Sequence, residues 1–392
     1  MRLGYPRQEV LASWAMLGVL WLLCAPWVLP SNKLYHQVLI SLLWLPGLLA
    51  LGHAGFRRLL GQPELILFCL LGAWTLLVIA VQGGDDPLRK SKLPFYVLLS
   101  LLGVLVAAQQ RRYPIERQLQ AAALVAGPFA LWSIVDFYIL PGQGNRGRLV
   151  SIGLWDTAIM AAHAVGALAV LGCLLSRRPR AGWQLLAYLF AMLALALFLL
   201  LSQTRGVWVA LLAALVVVAL ARPSRLALIT LGMTALALLL LVLLAPELFT
   251  QRGLSYRPQL LQKGWTVFAE QWRLGLGFNE YWISVESQGR FYRHPHNLYL
   301  DLGIRWGLVG VALFLALWGC VAWRAWRNRG SVLGLALLGL WSFSSVALLT
   351  DGIGLWFKPN ADWLITWLPV ALSLVLAACG SNDVRCVEER RL

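Results

Sequence analysis

Arg293-His294-Pro295-His296-Asn297-Leu298-Tyr299-Leu300-Asp301-Leu302-Gly303-Ile304-Arg305-Trp306-Gly307-Leu308-Val309-Gly310 joins a long polar stretch to an apolar one. Before it, residues 246–292 carry charges, glycines and aromatic side chains. After Arg305 the chain runs to Trp323 without a charge. A run of about 20 apolar residues is what a helix needs to cross the hydrocarbon of a bilayer. Read outward from this junction, the rest of the chain repeats the apolar pattern. It predicts an all-α, polytopic integral membrane protein in one domain, 1–392.

Composition agrees. Sixty per cent of the 392 residues are hydrophobic and 13% charged, with a mean hydropathy of +0.71. Twelve spans are expected, near 12–29, 36–51, 65–81, 93–108, 119–140, 154–175, 183–201, 207–221, 226–244, 304–323, 332–350 and 363–379. Each is expected to be a helix, since lipid offers the backbone no hydrogen-bond partner and nothing alternates as barrel strands do. The first run, after Arg2 and Arg7, lacks a small-residue cleavage site and reads as a retained span. The net charge of +16 reads as loop bias rather than affinity for nucleic acid. Eighteen basic residues fall in alternate short connections and the tail, against eight in the opposite set outside the long loop. That bias puts both termini in the cytoplasm and the 246–303 loop, between predicted helices 9 and 10, outside as a lid. The loops at 83–92, 141–153, 202–206 and 351–362 share that outer face.

In the long loop, Arg257-Pro258 followed by Leu261, Trp265 and Phe268 predicts a short helix. The run from Trp272 to Tyr281, holding Gly275 and Gly277, is a turn; without a preceding strand or a third glycine it is no nucleotide fingerprint. Gly303, Gly307 and Gly310 form a smooth helix face for close packing. The six cysteines show no C-x-x-C spacing, so neither disulfide nor metal is expected. Asp85-Asp86 lacks further ligands and reads as a solvated turn.

His296 is the strongest chemical candidate. It precedes an apolar helix, at an aqueous boundary where a neutral imidazole can act as general base; the bland alternative is an interfacial histidine beside the cap. His294 and Asn297 flank it. Arg205 interrupts two apolar spans in Ser202-Gln203-Thr204-Arg205-Gly206, where it either snorkels or binds an anion. Arg257, Arg146, Arg148, Arg89, Lys90 and Arg293 are further outer cations able to grip phosphate oxygens, or simply solvated.

His296-Asn297, nine residues, then Gly307-x-x-Gly310 resembles the signature of the bacterial O-antigen ligase superfamily, which also holds O-antigen polymerases and protein O-oligosaccharyltransferases. Ser202-x-x-Arg205-Gly206, Arg257 and the Gly275-x-Gly277 turn resemble further family elements, in the family's order. The resemblance covers Leu201 to Gly310 best. It implies a glycosyltransferase of the bacterial inner membrane with its active site facing the periplasm and His296, Arg205 and Arg257 in the catalytic set. The donor would be a glycan on undecaprenyl diphosphate, and a ligase's acceptor a sugar hydroxyl of lipid A-core. No cofactor or metal is implied. The residues themselves leave open a polymerase, a protein O-oligosaccharyltransferase, or a multi-span transporter with His296 as proton relay.

Overall fold

The computed structural model describes residues 5–52, 61–84, 86–140, 147–176, 182–244, 246, 256–285, 290–352 and 354–382. The helices are α1 (Tyr5–Cys24), α2 (Asn32–Leu39), α3 (Leu45–Ala50), α4 (Pro63–Gln82), α5 (Pro87–Lys90), α6 (Leu93–Ala107), α7 (Ile115–Tyr138), α8 (Ala158–Leu174), α9 (Gly182–Leu201), α10 (Arg205–Ala221), α11 (Arg225–Leu244), α12 (Arg257–Gln271), α13 (Leu298–Arg327), α14 (Val332–Thr350) and α15 (Trp367–Asn382). The protein is an all-α, multi-pass membrane protein, as the apolar runs require. Among the described residues, eight helical segments are long and apolar enough to cross a bilayer, and three shorter apolar helices cover 158–174, 205–221 and 228–244.

The span expected at 36–51 is not one straight helix. Between α2 and α3 lies a π-helical turn, Ile40–Trp44, in which the Leu45 N–H reaches back to the Ile40 carbonyl. Pro46 follows and has no N–H for the Leu42 carbonyl, so the ordinary i→i−4 ladder cannot continue through it. Gly103 of α6 leaves room for the Leu43 backbone at this point.

α14 is the central strut: it packs on α8, α10, α13 and α15, and its Phe343 fills the space that Gly166 of α8 leaves open. α4 lies along α13. At one end of that pair Arg324 donates to the buried carboxylate of Glu64, which also accepts from Ser373 at 2.8 Å. At the other end Gln82 Nε2 donates to the Gly275 carbonyl and Asn279 Nδ2 to the Gln82 carbonyl. The connections that lead into α8, α10 and α13, and the one that leaves α14, gather at this second end. Leu149 N–H bonds Leu201, and the Pro26 carbonyl accepts from Leu154. The polar loops grouped by the sequence therefore meet in space.

A correction concerns the glycine face. Gly303 takes Phe268 of α12, as a packing glycine would, but Gly307 has φ +63 and ψ −171 and breaks α13. The break is filled by the turn before it in sequence. Leu276 and Gly277 N–H donate to the Ile304 and Arg305 carbonyls, and Leu308 N–H donates to the Trp272 carbonyl, all within 2.8 Å. Trp74 Nε1 takes the Trp306 carbonyl at 2.8 Å. The Ile304, Arg305 and Trp306 carbonyls and the Leu308 N–H at the kink thus find partners outside the helix, as a kink inside a membrane helix requires.

Candidate active site

The predicted loop helix forms as α12 and packs on the first turns of α13. Its Leu260 joins Tyr281, Ile283, Val285 and Ile304 in a small separate core. That core includes a feature the sequence did not announce, an antiparallel pair of three-residue strands, β1 (Ile283–Val285) and β2 (Arg290–Tyr292). Below it Asp301 is buried, accepting from Tyr281 Oη at 2.5 Å and from Arg305 Nε at 3.2 Å. Burial, then the Asp301 charge, pushes the Tyr281 hydroxyl far above its ordinary range, so it remains a donor. The loop is thereby bolted to the helix that His296 precedes.

His296 has φ +53, a left-handed backbone that a non-glycine residue holds only when its surroundings enforce it. Its N–H donates to His294 Nδ1 at 3.3 Å, and the two rings lie 4.1 Å apart. Asn297 caps α13: its Oδ1 accepts from Leu300 N–H at 2.9 Å, while its Nδ2 donates to the Leu349 carbonyl at 3.0 Å. That second bond ties the start of α13 to the last turn of α14, and so brings His296 against Asp351. The distance from His296 Nδ1 to Asp351 Oδ1 is 3.1 Å.

Asp351 is 4% exposed. Burial pushes its carboxyl up, but the hydrogen bond from His296 and the charges of His296, His163 and His294 outweigh it and hold it at about 2. The carboxylate is therefore ionised at neutral pH and can only accept, so Nδ1 of His296 carries a proton, and in the neutral form of the ring the lone pair is on Nε2. Oδ1 also accepts from Gly352 N–H at 2.8 Å, and Oδ2 faces Arg257 Nη2 at 3.7 Å, an ion-pair distance too long for a hydrogen bond. His294 is held down at about 4, first by burial and then by the charge at His296, and stays neutral.

Arg205 begins α10, and the glycine after it leaves room for the side chain of Thr350, the neighbour of Asp351. Arg148 holds the turn that presents Arg205, with Nε donating to the Ser202 carbonyl and Nη2 to Thr204 Oγ1, at 2.8 and 2.7 Å. The remaining predicted cations make their contacts elsewhere. Arg89 pairs with exposed Asp86, Lys90 lies over Phe278 and near its carbonyl, and Arg293 lies over Trp282 beside Glu280. Arg146 lies outside the described residues.

Residues 189–315 match the family model described as O-antigen ligase. Across its length the chain is 28% identical, over 383 residues, to an O-antigen ligase of Pseudomonas aeruginosa, covering 96% of this chain and 94% of that one. The chain is similar to the O-antigen ligases. The matched segment holds Arg205, Arg257, His294, His296 and Asn297, and stops before Asp351. The family-model match therefore reaches the histidines and the two arginines but not Asp351, the carboxylate that holds His296 Nδ1. In sequence, Asp351 is one acid after an apolar run, 55 residues from its partner; the available signal was the charge bias that put the 351–362 loop on the same outer face as His296.

His294, His296 and Asp351 also bring one ligand atom each within 4.8 Å of one another, a cluster that spacing along the chain could not show. Both Nδ1 atoms are engaged, one by Asp351 and one by a backbone N–H, and Arg257 already supplies positive charge at the carboxylate. A second buried pair, His163 Nδ1 to Asp362 Oδ1 at 3.0 Å, lies at the other end of the segment that starts with Asp351.

Proposed function

We propose that this chain is an O-antigen ligase, transferring glycan from undecaprenyl diphosphate to a sugar hydroxyl of lipid A-core on the periplasmic face of the bacterial inner membrane. The observation that carries the reading is the His296–Asp351 pair, in an imidazole that is 22% exposed and whose Nε2 has no hydrogen-bond partner among the described residues. Nε2 takes the proton from the acceptor hydroxyl as its oxygen attacks the anomeric carbon. The bond to the diphosphate oxygen breaks on the opposite side, its electron pair leaves with the carrier, and the configuration inverts. Arg257 and Arg205 compensate the negative charge growing on the diphosphate. The diphosphate already activates the sugar, so no nucleotide is needed.

Reconstitution tests this. Purified protein in nanodiscs, given carrier-linked glycan and lipid A-core, should yield glycosylated lipid A-core. Product in which glycan lengthens on the carrier while lipid A-core stays bare would mean a polymerase instead.

Two expectations accompany the reading. Transfer is metal-independent and should survive EDTA in detergent; loss on chelation, restored by a single divalent ion, would turn the His294, His296 and Asp351 cluster into a metal site. The orientation places both termini in the cytoplasm, with the 246–303 segment as a periplasmic lid. A cysteine at Gln262 should then react with an impermeant thiol reagent applied from outside, and one at Asn328 should not. The reverse pattern would put the site on the wrong side for a carrier-linked donor.

A further inference from the structure

A cavity of about 570 Å³ opens at the same end of the molecule, between α2, the π-helical turn, α6 and the segment 357–360. Its volume lies within the range of small-ligand sites. Lys33 and Lys358 stand exposed in its lining, and neither has an acidic partner among the described residues. Its inner wall is aromatic: Trp44 stacks on Tyr96 with ring centroids 4.7 Å apart and planes 16° from parallel. Trp44 Nε1 donates to Ser100 at 2.7 Å, which fixes the ring in place before any ligand arrives. Trp44 ends the π-helical turn, a local geometry often found at functional sites. Gln37 and Asn360 add amide groups. Leu34 and Ile40, on the same short helix and turn, are 44% and 50% exposed and form an apolar shoulder.

Cations, amides and a rigid aromatic face are the complement of a phosphorylated sugar, and the apolar shoulder suits the lipid part of the same molecule. The far wall is continuous with the dyad: the segment that begins at Asp351 reaches the cavity at Phe357, and His36 Nε2 meets the Pro359 carbonyl at 3.2 Å to hold it there. One anion site, at Arg257 beside Asp351, is already assigned to the donor's diphosphate. A second cationic site, at the 357–360 part of this segment, is left for the second substrate.

We propose that the cavity at Lys33, Lys358 and Trp44 binds the phosphorylated saccharide of the acceptor glycolipid; this rests on the ligase reading. The test is a Lys33→Ser/Lys358→Ser double variant in phosphatidylcholine nanodiscs. Its KM for lipid A-core should rise about tenfold or more, as expected when hydrogen bonds to a charged group are lost. Its kcat at saturating acceptor and its KM for the carrier-linked donor should be unchanged. Lipid A-core stripped of phosphate by hydrofluoric acid should give the native protein the same raised KM, and the double variant no further loss. In a binding measurement without donor, the native protein should prefer phosphorylated to stripped lipid A-core and the variant should not. That preference in a native protein unable to transfer glycan would sink the ligase reading while supporting the site. An unchanged acceptor KM in an active variant would overturn the site alone, and a rise in donor KM instead would give the cavity to the carrier.

Discussion

Replacing His296 with alanine is expected to lower glycan transfer by about 10²–10⁴-fold, the usual contribution of a positioned general base, with donor affinity largely kept. The expectation follows from which nitrogen is free. Asp351, ionised and buried, holds Nδ1, so the lone pair on Nε2 is the basic group that the pair presents. Arg257→Ala should differ in kind, because the cation faces the carboxylate and, in the proposed function, the donor's diphosphate as well. It should weaken donor binding as well as rate, and lysine should rescue it only in part, since an ammonium lacks the planar fork. Transfer rates and donor affinities of the purified variants would separate the two roles. A His296→Ala protein working at near-normal rate would remove the base hypothesis.

The reach of the sequence can be judged from particular residues. Apolar runs located the helices because in lipid the backbone has no alternative, and Arg257-Pro258 with its apolar spacing located α12. What escaped was set by contacts between segments distant in the chain. The glycines at 303, 307 and 310 read as one smooth face, yet Gly307 takes a positive φ because the turn from Trp272 to Gly277 inserts its backbone into α13. The break at Ile40–Trp44 had only Pro46 as a local sign. The strand pair at 283–292 is three residues deep and depends on α12 for its core. His296 could be singled out by position and motif, while Asp351 gains its meaning only when Asn297 fastens α13 to α14.

Asp351→Asn is the variant on which the mechanism turns, and it should cost about 10²-fold or more in transfer rate although the side chain keeps its shape. An amide can offer either its oxygen or its NH₂ to the ring. If it donates, the imidazole is held as the wrong tautomer with its proton on Nε2, where the lone pair is needed; loss of this kind is severe in other carboxylate–histidine pairs. If it accepts, the tautomer survives, but the negative charge that stabilises the imidazolium formed during transfer is gone. The two cases leave different traces. Loss of the charge, which both cases share, disfavours protonation, so the acid limb of the pH–rate profile should move to lower pH. A wrong tautomer adds to this a deeper fall of the plateau across the whole profile. Neither effect is expected from a merely structural carboxylate, whose loss would show in thermal stability and leave the profile's shape unchanged. A folded Asp351→Asn protein with native rate and native profile would reduce the pair to a helix-end contact, and His296 would then need another partner to orient it.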